Sequence, residues 1–206
     1  MTLSVGMLRA WIFPPACAAC DRPGVALCAS CAPAAADAQR FALDGIDGFA
    51  LGAYEGTLRT AIVAMKRGER DPLDAFAALL DRAPLSGTLV PLPTTRRRAA
   101  DRGFDQSVAL AQRVARRRGV PWANVLRKTG APQAGLGRMG RLGAAGRFRL
   151  RRGAVLPPVV TLLDDVCTTG ATARDALGVL RAAGVTVAGL VVLARASGTR
   201  GGPERS

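Results

Sequence analysis

The chain has 206 residues, 49% of them hydrophobic, which suits one domain with a real core plus a small appendage and excludes a disordered or fibrous protein. Its 29 basic residues against 15 acidic ones give a net charge of +14, pointing to polyanionic partners: nucleic acid, phosphorylated small molecules or an anionic membrane. Only Lys66 and Lys128 are lysines, so an arginine-rich coding bias accounts for part of the same excess.

The opening stretch MTLSVGMLRAWIFPP places Leu3, Met7, Leu8, Trp11 and Ile12 at helical spacing, so a short amphipathic helix is expected there. It lacks a basic leading segment, and no apolar run reaches the ~18 residues of a membrane span, so a cytoplasmic protein is expected.

Next comes CAACDRPGVALCASC, with Cys17, Cys20, Cys28 and Cys31 as two C-x2-C pairs seven residues apart. Two such pairs can turn four thiolates toward one tetrahedral ion, which suits structural zinc; iron–sulfur ligation or redox chemistry is the alternative. Four sulfur ligands would leave no open position for catalysis. An Ala-rich connector from Pro33 to Arg40 then separates residues 1–40, a short helix plus zinc-ribbon-like module, from a domain over 41–196.

In that domain GFALGAYEG reads as a strand and turn. TLRTAIVAMKRG reads as a helix with Leu58, Ile62 and Met65 on one face and Gly68 closing it. Asp71 and Pro72 open a further helix through Leu80, and GTLVPLP is a short buried strand. In RGFDQSVALAQRVARRRG the spacing predicts a helix with Phe104, Val108, Ala111 and Ala115 as its apolar stripe. From Gly130 to Phe148 all periodicity is lost, as in a functional loop. The strand PPVVTLLDD, the helix ATARDALGVLRAAG (Ala176, Leu177 and Leu180 inward) and the strand VTVAGLVVLAR follow, and residues 197–206 read as a frayed tail. Helices alternating with continuously apolar strands predict a parallel sheet covered on both faces.

The most informative stretch is VVTLLDDVCTTGAT, from Val159 to Thr172. Ligands of open parallel sheets bind beyond the carboxyl ends of strands. Strand alternation cannot hide both Asp164 and Asp165, and a carboxylate there accepts hydrogen bonds from vicinal sugar hydroxyls. Thr168, Thr169, Gly170, Ala171 and Thr172 then lead into a helix N-terminus, where free amides and hydroxyls suit a phosphate. Sugar hydroxyls at one end and phosphate at the other indicate a ribose 5-phosphate. Cys167 lies inside this stretch and is expected to be a small filler turned toward the sheet.

This stretch resembles the signature of type I phosphoribosyltransferases, which bind phosphoribosyl pyrophosphate. With the four-cysteine module, YEGTLRTAIVAMKRG, VPLPTTRRRAADRGFDQS and PQAGLGRMGRLGAAGRF in the same order, the chain resembles the ComF family of competence-associated phosphoribosyltransferase-like proteins. The resemblance implies that family's α/β fold: a parallel sheet with helices on both faces, preceded by a small zinc module. It implies ribose contacts for Asp164 and Asp165, a 5-phosphate wrap for Thr168 through Thr172, and a pyrophosphate-facing loop carrying Arg96, Arg97 and Arg98. Lys66 and Arg102 become secondary basic contacts, magnesium travels with the substrate, and the segment from Gln133 to Phe148 becomes a hood that excludes water. Thr168 stands where hypoxanthine-type members carry an aspartate, which argues against that substrate class. Gly143 stands where relatives carry asparagine. The implied partners are phosphoribosyl pyrophosphate, single-stranded DNA and competence proteins. The implied function is phosphoribosyl transfer to an unknown nucleophile, with a non-catalytic sensor or DNA-handling adaptor as the alternative. The chain has no histidine, and no catalytic base is assigned.

Overall fold

The most apolar runs of the sequence become the middle of one sheet in the computed structural model, which describes residues 14–129 and 147–196. The expected helix near residues 3–12, most of the hood segment and the tail lie outside the described residues. The strands are β1 (Gln39–Leu43), β2 (Ile46–Ala53), β3 (Thr88–Pro91), β4 (Leu126–Lys128), β5 (Phe148–Leu150), β6 (Val159–Cys167) and β7 (Thr186–Arg195). Five of them form the main sheet in the order β1-β2-β7-β6-β3. β2, β7, β6 and β3 run parallel, and β1 is an antiparallel edge. β4 and β5 pair as a separate antiparallel ribbon.

The helices are α1 (Gly56–Lys66), α2 (Pro72–Leu79), α3 (Arg96–Arg102), α4 (Gln106–Arg118) and α5 (Ala171–Ala182). α1, α2 and α4 cover one face, where Ile62, Met65, Phe76, Leu110 and Val114 meet Leu51, Leu163 and Leu193 of the sheet. α5 and the ribbon cover the other, where Ala176, Leu177, Leu180 and Phe148 meet Val160, Leu162 and Val192. This is a mixed α/β fold with a mostly parallel sheet and helices on both faces, as the alternation predicts. Strands buried on both faces must be apolar throughout, which is why β6 and β7 read as unbroken runs.

Several elements differ from the sequence reading. β1 begins inside the Ala-rich connector and forms a hairpin with β2 through Asp44 (φ 47°) and Gly45 (φ 79°), the paired positive φ of a type I′ turn. The arginine run after β3 is helix α3, capped by Thr95 Oγ1, which accepts from the Arg98 amide, and ended by Gly103 at φ 74°. On α4 the fully buried stripe is Leu110, Ala111 and Val114; Phe104 precedes the helix and Val108 is half-exposed, because Asp105 caps the helix and fixes its phase. β6 also continues two residues past the acid pair, to Cys167.

The free edge of β3 is covered by Pro121–Ala123: the Leu89 amide donates to Pro121 O and the Ala123 amide to Leu89 O. Thr161, buried in β6, both donates to Ser86 O and accepts from the Ser86 amide, so its hydroxyl is satisfied. The cysteine module rests on the helical face through Thr57 Oγ1, which donates to Cys31 O, and Arg82, which donates to Pro33 O and Ala34 O. Ala18, Ala19 and Leu27 add apolar contact to that face.

Phe76 is completely buried beneath α2. Phe76→Ala should lower unfolding free energy by about 3–5 kcal/mol in urea titrations at constant m-value, since truncation removes apolar burial and leaves a void.

Candidate functional site

Two loops leave the sheet on opposite faces at the carboxyl ends of β3 and β6, the place where an open α/β sheet holds its ligand. Between them lies a cavity of about 140 Å³ lined by Lys66, Thr94, Arg98, Arg102, Ser107, Lys128, Asp164, Asp165 and Thr172, among others. A smaller hollow of about 20 Å³ is lined by Asp164, Cys167, Thr168, Gly170, Ala171 and Thr172. The hollows share Asp164, Val166 and Thr172 in their linings, so the acid pair and the turn before α5 lie side by side.

Each carboxylate has its own partners. Asp165 is held by Lys66 at the end of α1, with Nζ 3.1 Å from Oδ2. The lysine also lies 5.8 Å from the Tyr54 ring. Asp164 Oδ1 accepts from the Ser107 hydroxyl at 3.1 Å and from the Asp165 amide at 2.9 Å. Burial, and then the adjacent Asp165 charge, push the Asp164 carboxyl up to about 7. Lys128 faces the same space, and burial draws its ammonium below the usual range while Asp164 acts in the opposite sense. Asp105 anchors the rim: one oxygen accepts from the Thr94 amide at 2.7 Å and the other from the Val108 amide at 3.2 Å.

The turn from Thr168 to Gly170 is shaped by its glycine. Gly170 has φ 77°, and a Cβ there would stand 2.6 Å from Leu43 Cδ1 of β1. Thr169 Oγ1 accepts from the Ala171 amide, and Thr169 O accepts from Arg174, which also pairs with Asp44 at 2.9 Å. The first-turn amides of α5 lack intrahelical acceptors, so the turn offers donors to an anion. Cys167 is buried in the α5-side core, and burial pushes its thiol up; it fills space and is not activated.

Of the residues singled out in sequence, Asp164, Asp165, Lys66, Arg98, Arg102 and Thr172 line the larger cavity. Thr168, Gly170 and Ala171 line the smaller one, with Thr169 bracing its turn. Arg96 and Arg97 lie on the exposed first turn of α3 and line neither. Arg102 donates to Gln106 at 2.9 Å. The sequence reading missed Lys128 and Ser107. Lys128 carried a signal, being one of only two lysines in an arginine-rich chain, and both lysines reach the acid pair's cavity. Ser107 carried none, because only the fold brings α4 against β6.

No family model matches the chain, and no curated protein does. Solved structures similar to it include the allosteric regulatory enzyme of purine biosynthesis (21% identity, TM-score 0.42), matched over 64% of this chain. The chain spans about a quarter of that enzyme's length, 26%. Others are orotate phosphoribosyltransferase from Aeropyrum pernix (17%, TM-score 0.40, covering 78% of this chain and 76% of that one) and adenine phosphoribosyltransferase from Saccharomyces cerevisiae (16%, TM-score 0.40, covering 82% and 89%). At these TM-scores the likenesses carry no weight, and the strand order and cavity stand on their own. Among the described residues no helix is long and apolar enough to cross a membrane.

At the amino-terminal end the sulfurs of Cys17, Cys20, Cys28 and Cys31 all lie within 4.8 Å of one another. Cys20 and Cys28 are 3.7 Å apart, close to the ~3.8 Å edge of a tetrahedron built on 2.3 Å metal–sulfur bonds. The Cys28 amide donates to Cys17 Sγ. Burial pushes the Cys17 thiol up, but amides of Cys28, Ala19 and Cys20 outweigh it and bring the group down to about 6. Hydrogen bonding with Cys28, followed by burial, pushes Cys31 up to about 12. The donor set fits one thiophilic cation.

Asp164 has a testable signature. Its folded pKa lies above the ordinary carboxylate value, so the folded state holds more protons and stability falls as pH rises from about 4 to 7. Asp164→Asn keeps an oxygen for Ser107 and the Asp165 amide. Its stability relative to the wild type should therefore increase between pH 5 and pH 8 in urea titrations; a constant difference would show that Asp164 titrates normally.

Proposed function

We propose that the chain binds phosphoribosyl pyrophosphate and transfers its phosphoribosyl group to a nucleophile, releasing pyrophosphate. The observation that carries this reading is that the two neighbouring hollows share Asp164 and Thr172 in their linings. An acid pair for hydroxyls thus adjoins an amide-rich turn for phosphate, the order of groups in a sugar phosphate. The 5-phosphate occupies the Thr168–Thr172 turn, and the ribose hydroxyls donate to Asp164 and Asp165. Lys66, Lys128, Arg98 and Arg102 lie on the side of the cavity where the pyrophosphate extends.

In this reaction a lone pair of the nucleophile forms a bond to the anomeric carbon. The bond from that carbon to the pyrophosphate oxygen breaks, its electrons leave with pyrophosphate, and the nucleophile gives up a proton. Charge on the leaving group builds where the four cations converge, so their field lowers the barrier. Asp164 and Asp165 offer the hard oxygens that a substrate-borne magnesium ion would prefer, and such an ion would neutralise part of the same charge. Binding also requires that Lys66 yield Asp165 to the ribose, so this ammonium moves from carboxylate toward substrate.

The order of sequence blocks supports placing the chain among the ComF-type proteins, with a role in DNA uptake. A second reading, a non-catalytic sensor of the same ligand, is favoured by the engagement of Asp165 with Lys66 and by a sequence without histidine. The four-cysteine site fits structural zinc, which would fasten Cys17–Cys31 without an open position for substrate.

Calorimetry with phosphoribosyl pyrophosphate and magnesium should show one site per chain, weakened at least tenfold by Asp165→Asn. Pyrophosphate release across a panel of amines and bases separates enzyme from sensor, and absence of binding would overturn both. Binding should strengthen as pH rises through about 7, because the ionised Asp164 is the better acceptor. Asp164→Asn should flatten the part of that profile that ligand ionisation does not explain. Metal analysis of protein purified without chelator should find one zinc per chain. Cys28→Ser should abolish it and lower the melting temperature, whereas visible charge-transfer absorption would identify an iron–sulfur centre instead.

A further inference from the structure

Lys66 is the last residue of α1, and its backbone is fixed from outside the cavity. Two residues on, Gly68 (φ 111°) lies so close to α3 that a Cβ there would stand 3.3 Å from Arg102 O. Arg70 donates to Gly103 O at 3.0 Å and stacks 4.7 Å from the centre of the Phe104 ring. The chain after Lys66 is thus packed on the turn between α3 and α4, and movement of the ammonium falls to the side chain. That ammonium sits 3.1 Å from Asp165 Oδ2, with the lysine side chain 26% and the aspartate side chain 17% exposed, so the pair is largely withdrawn from water. The other cations of the cavity are Arg98, Arg102 and Lys128, and among the described residues none of the three forms an ion pair. Asp164 offers Lys66 little in exchange, because its Oδ1 already accepts from Ser107 and the Asp165 amide. An ammonium that leaves Asp165 therefore moves toward like charge unless an anion lies there.

We propose that Lys66 determines the specificity of the site: it yields Asp165 only to a sugar phosphate that also carries a diphosphate at its anomeric carbon. This role rests on the sugar-phosphate reading above. Phosphoribosyl pyrophosphate and ribose 5-phosphate present the same hydroxyls to the acid pair and the same 5-phosphate to the turn before α5. They differ in the diphosphate. Lying among Arg98, Arg102 and Lys128, that group makes the region attractive to a further cation and gives the displaced ammonium new oxygens. Ribose 5-phosphate breaks the pair and supplies no replacement, which leaves a partly buried charge uncompensated. Nucleoside monophosphates lack the diphosphate and meet the same penalty.

The test is calorimetry with phosphoribosyl pyrophosphate and with ribose 5-phosphate, each with magnesium, on the wild type and on Lys66→Met. Phosphoribosyl pyrophosphate should bind the variant about tenfold more weakly, the scale of one hydrogen bond to a charged group. Ribose 5-phosphate should bind it about threefold more tightly, the scale of a solvent-screened ion pair that no longer has to be broken. Ribose 5-phosphate binding that is unchanged or weaker in the variant would make Lys66 an ordinary diphosphate contact and overturn the proposal alone. A wild type that binds neither ligand would overturn the sugar-phosphate reading beneath it. If Lys66→Met does not fold, the wild type decides the matter. Lysine labelled with carbon-13 at Cε gives one signal for each of the two lysines, and Lys128→Arg assigns them. Phosphoribosyl pyrophosphate should move the Lys66 signal; a signal that stays in place at saturation would overturn the proposal.

Discussion

Two adjacent carboxylates inside a strand at the middle of a parallel sheet are an electrostatic problem, and much of the surrounding architecture answers it. Alone, the pair would repel and would lack water to disperse its charge. Lys66 comes from the end of α1 on one side, Ser107 from the start of α4, and Lys128 from the ribbon that covers the opposite face. These groups are far apart in sequence and meet only because α1 and α4 pack on one face of the sheet and the ribbon on the other. The acid pair therefore organises three elements, and the cavity is the space left between their polar ends.

The positive charge of the chain divides by role. Arginines of α4 and α5 hold the molecule together by pairing with Asp74, Asp81 and Asp44, or by capping carbonyls, as Arg118 does at Leu80 and Ala83. Such exposed pairs contribute little each and mainly fix orientation. Both lysines serve the cavity. A compact ammonium can exchange a carboxylate for a ligand oxygen without the fixed geometry that a guanidinium fork demands. Arginine bias explains much of the +14, but not where the two exceptions stand.

Much of this was legible in the sequence, because the unbroken apolar runs, the helix stops at Gly68 and Gly119 and the string from Asp164 to Thr172 are local signals. The hairpin was legible but overlooked: Asp44-Gly45 between two apolar stretches is a strong turn signal, masked by its alanine-rich approach. α3 was hidden because RRRAADR has no apolar stripe; its cap at Thr95 and stop at Gly103 were the only marks. β4 and β5 could not be read, since each is three residues long and their pairing spans a long, aperiodic stretch. The pairing of Lys66 with Asp165 depends on tertiary placement alone. No periodicity encodes it.

Gly170 and Leu43 show how far apart in the chain a local shape can be decided. The turn before α5 closes against a methyl group from the edge hairpin, and Arg174 ties the same turn to Asp44 at the hairpin's tip. The turn and its first amides are thus backed by the outermost strand pair and not by the central strands that precede them. Peeling that edge away would leave the sheet's middle intact yet remove the wall behind the turn, so the turn would lose its shape before the core is lost.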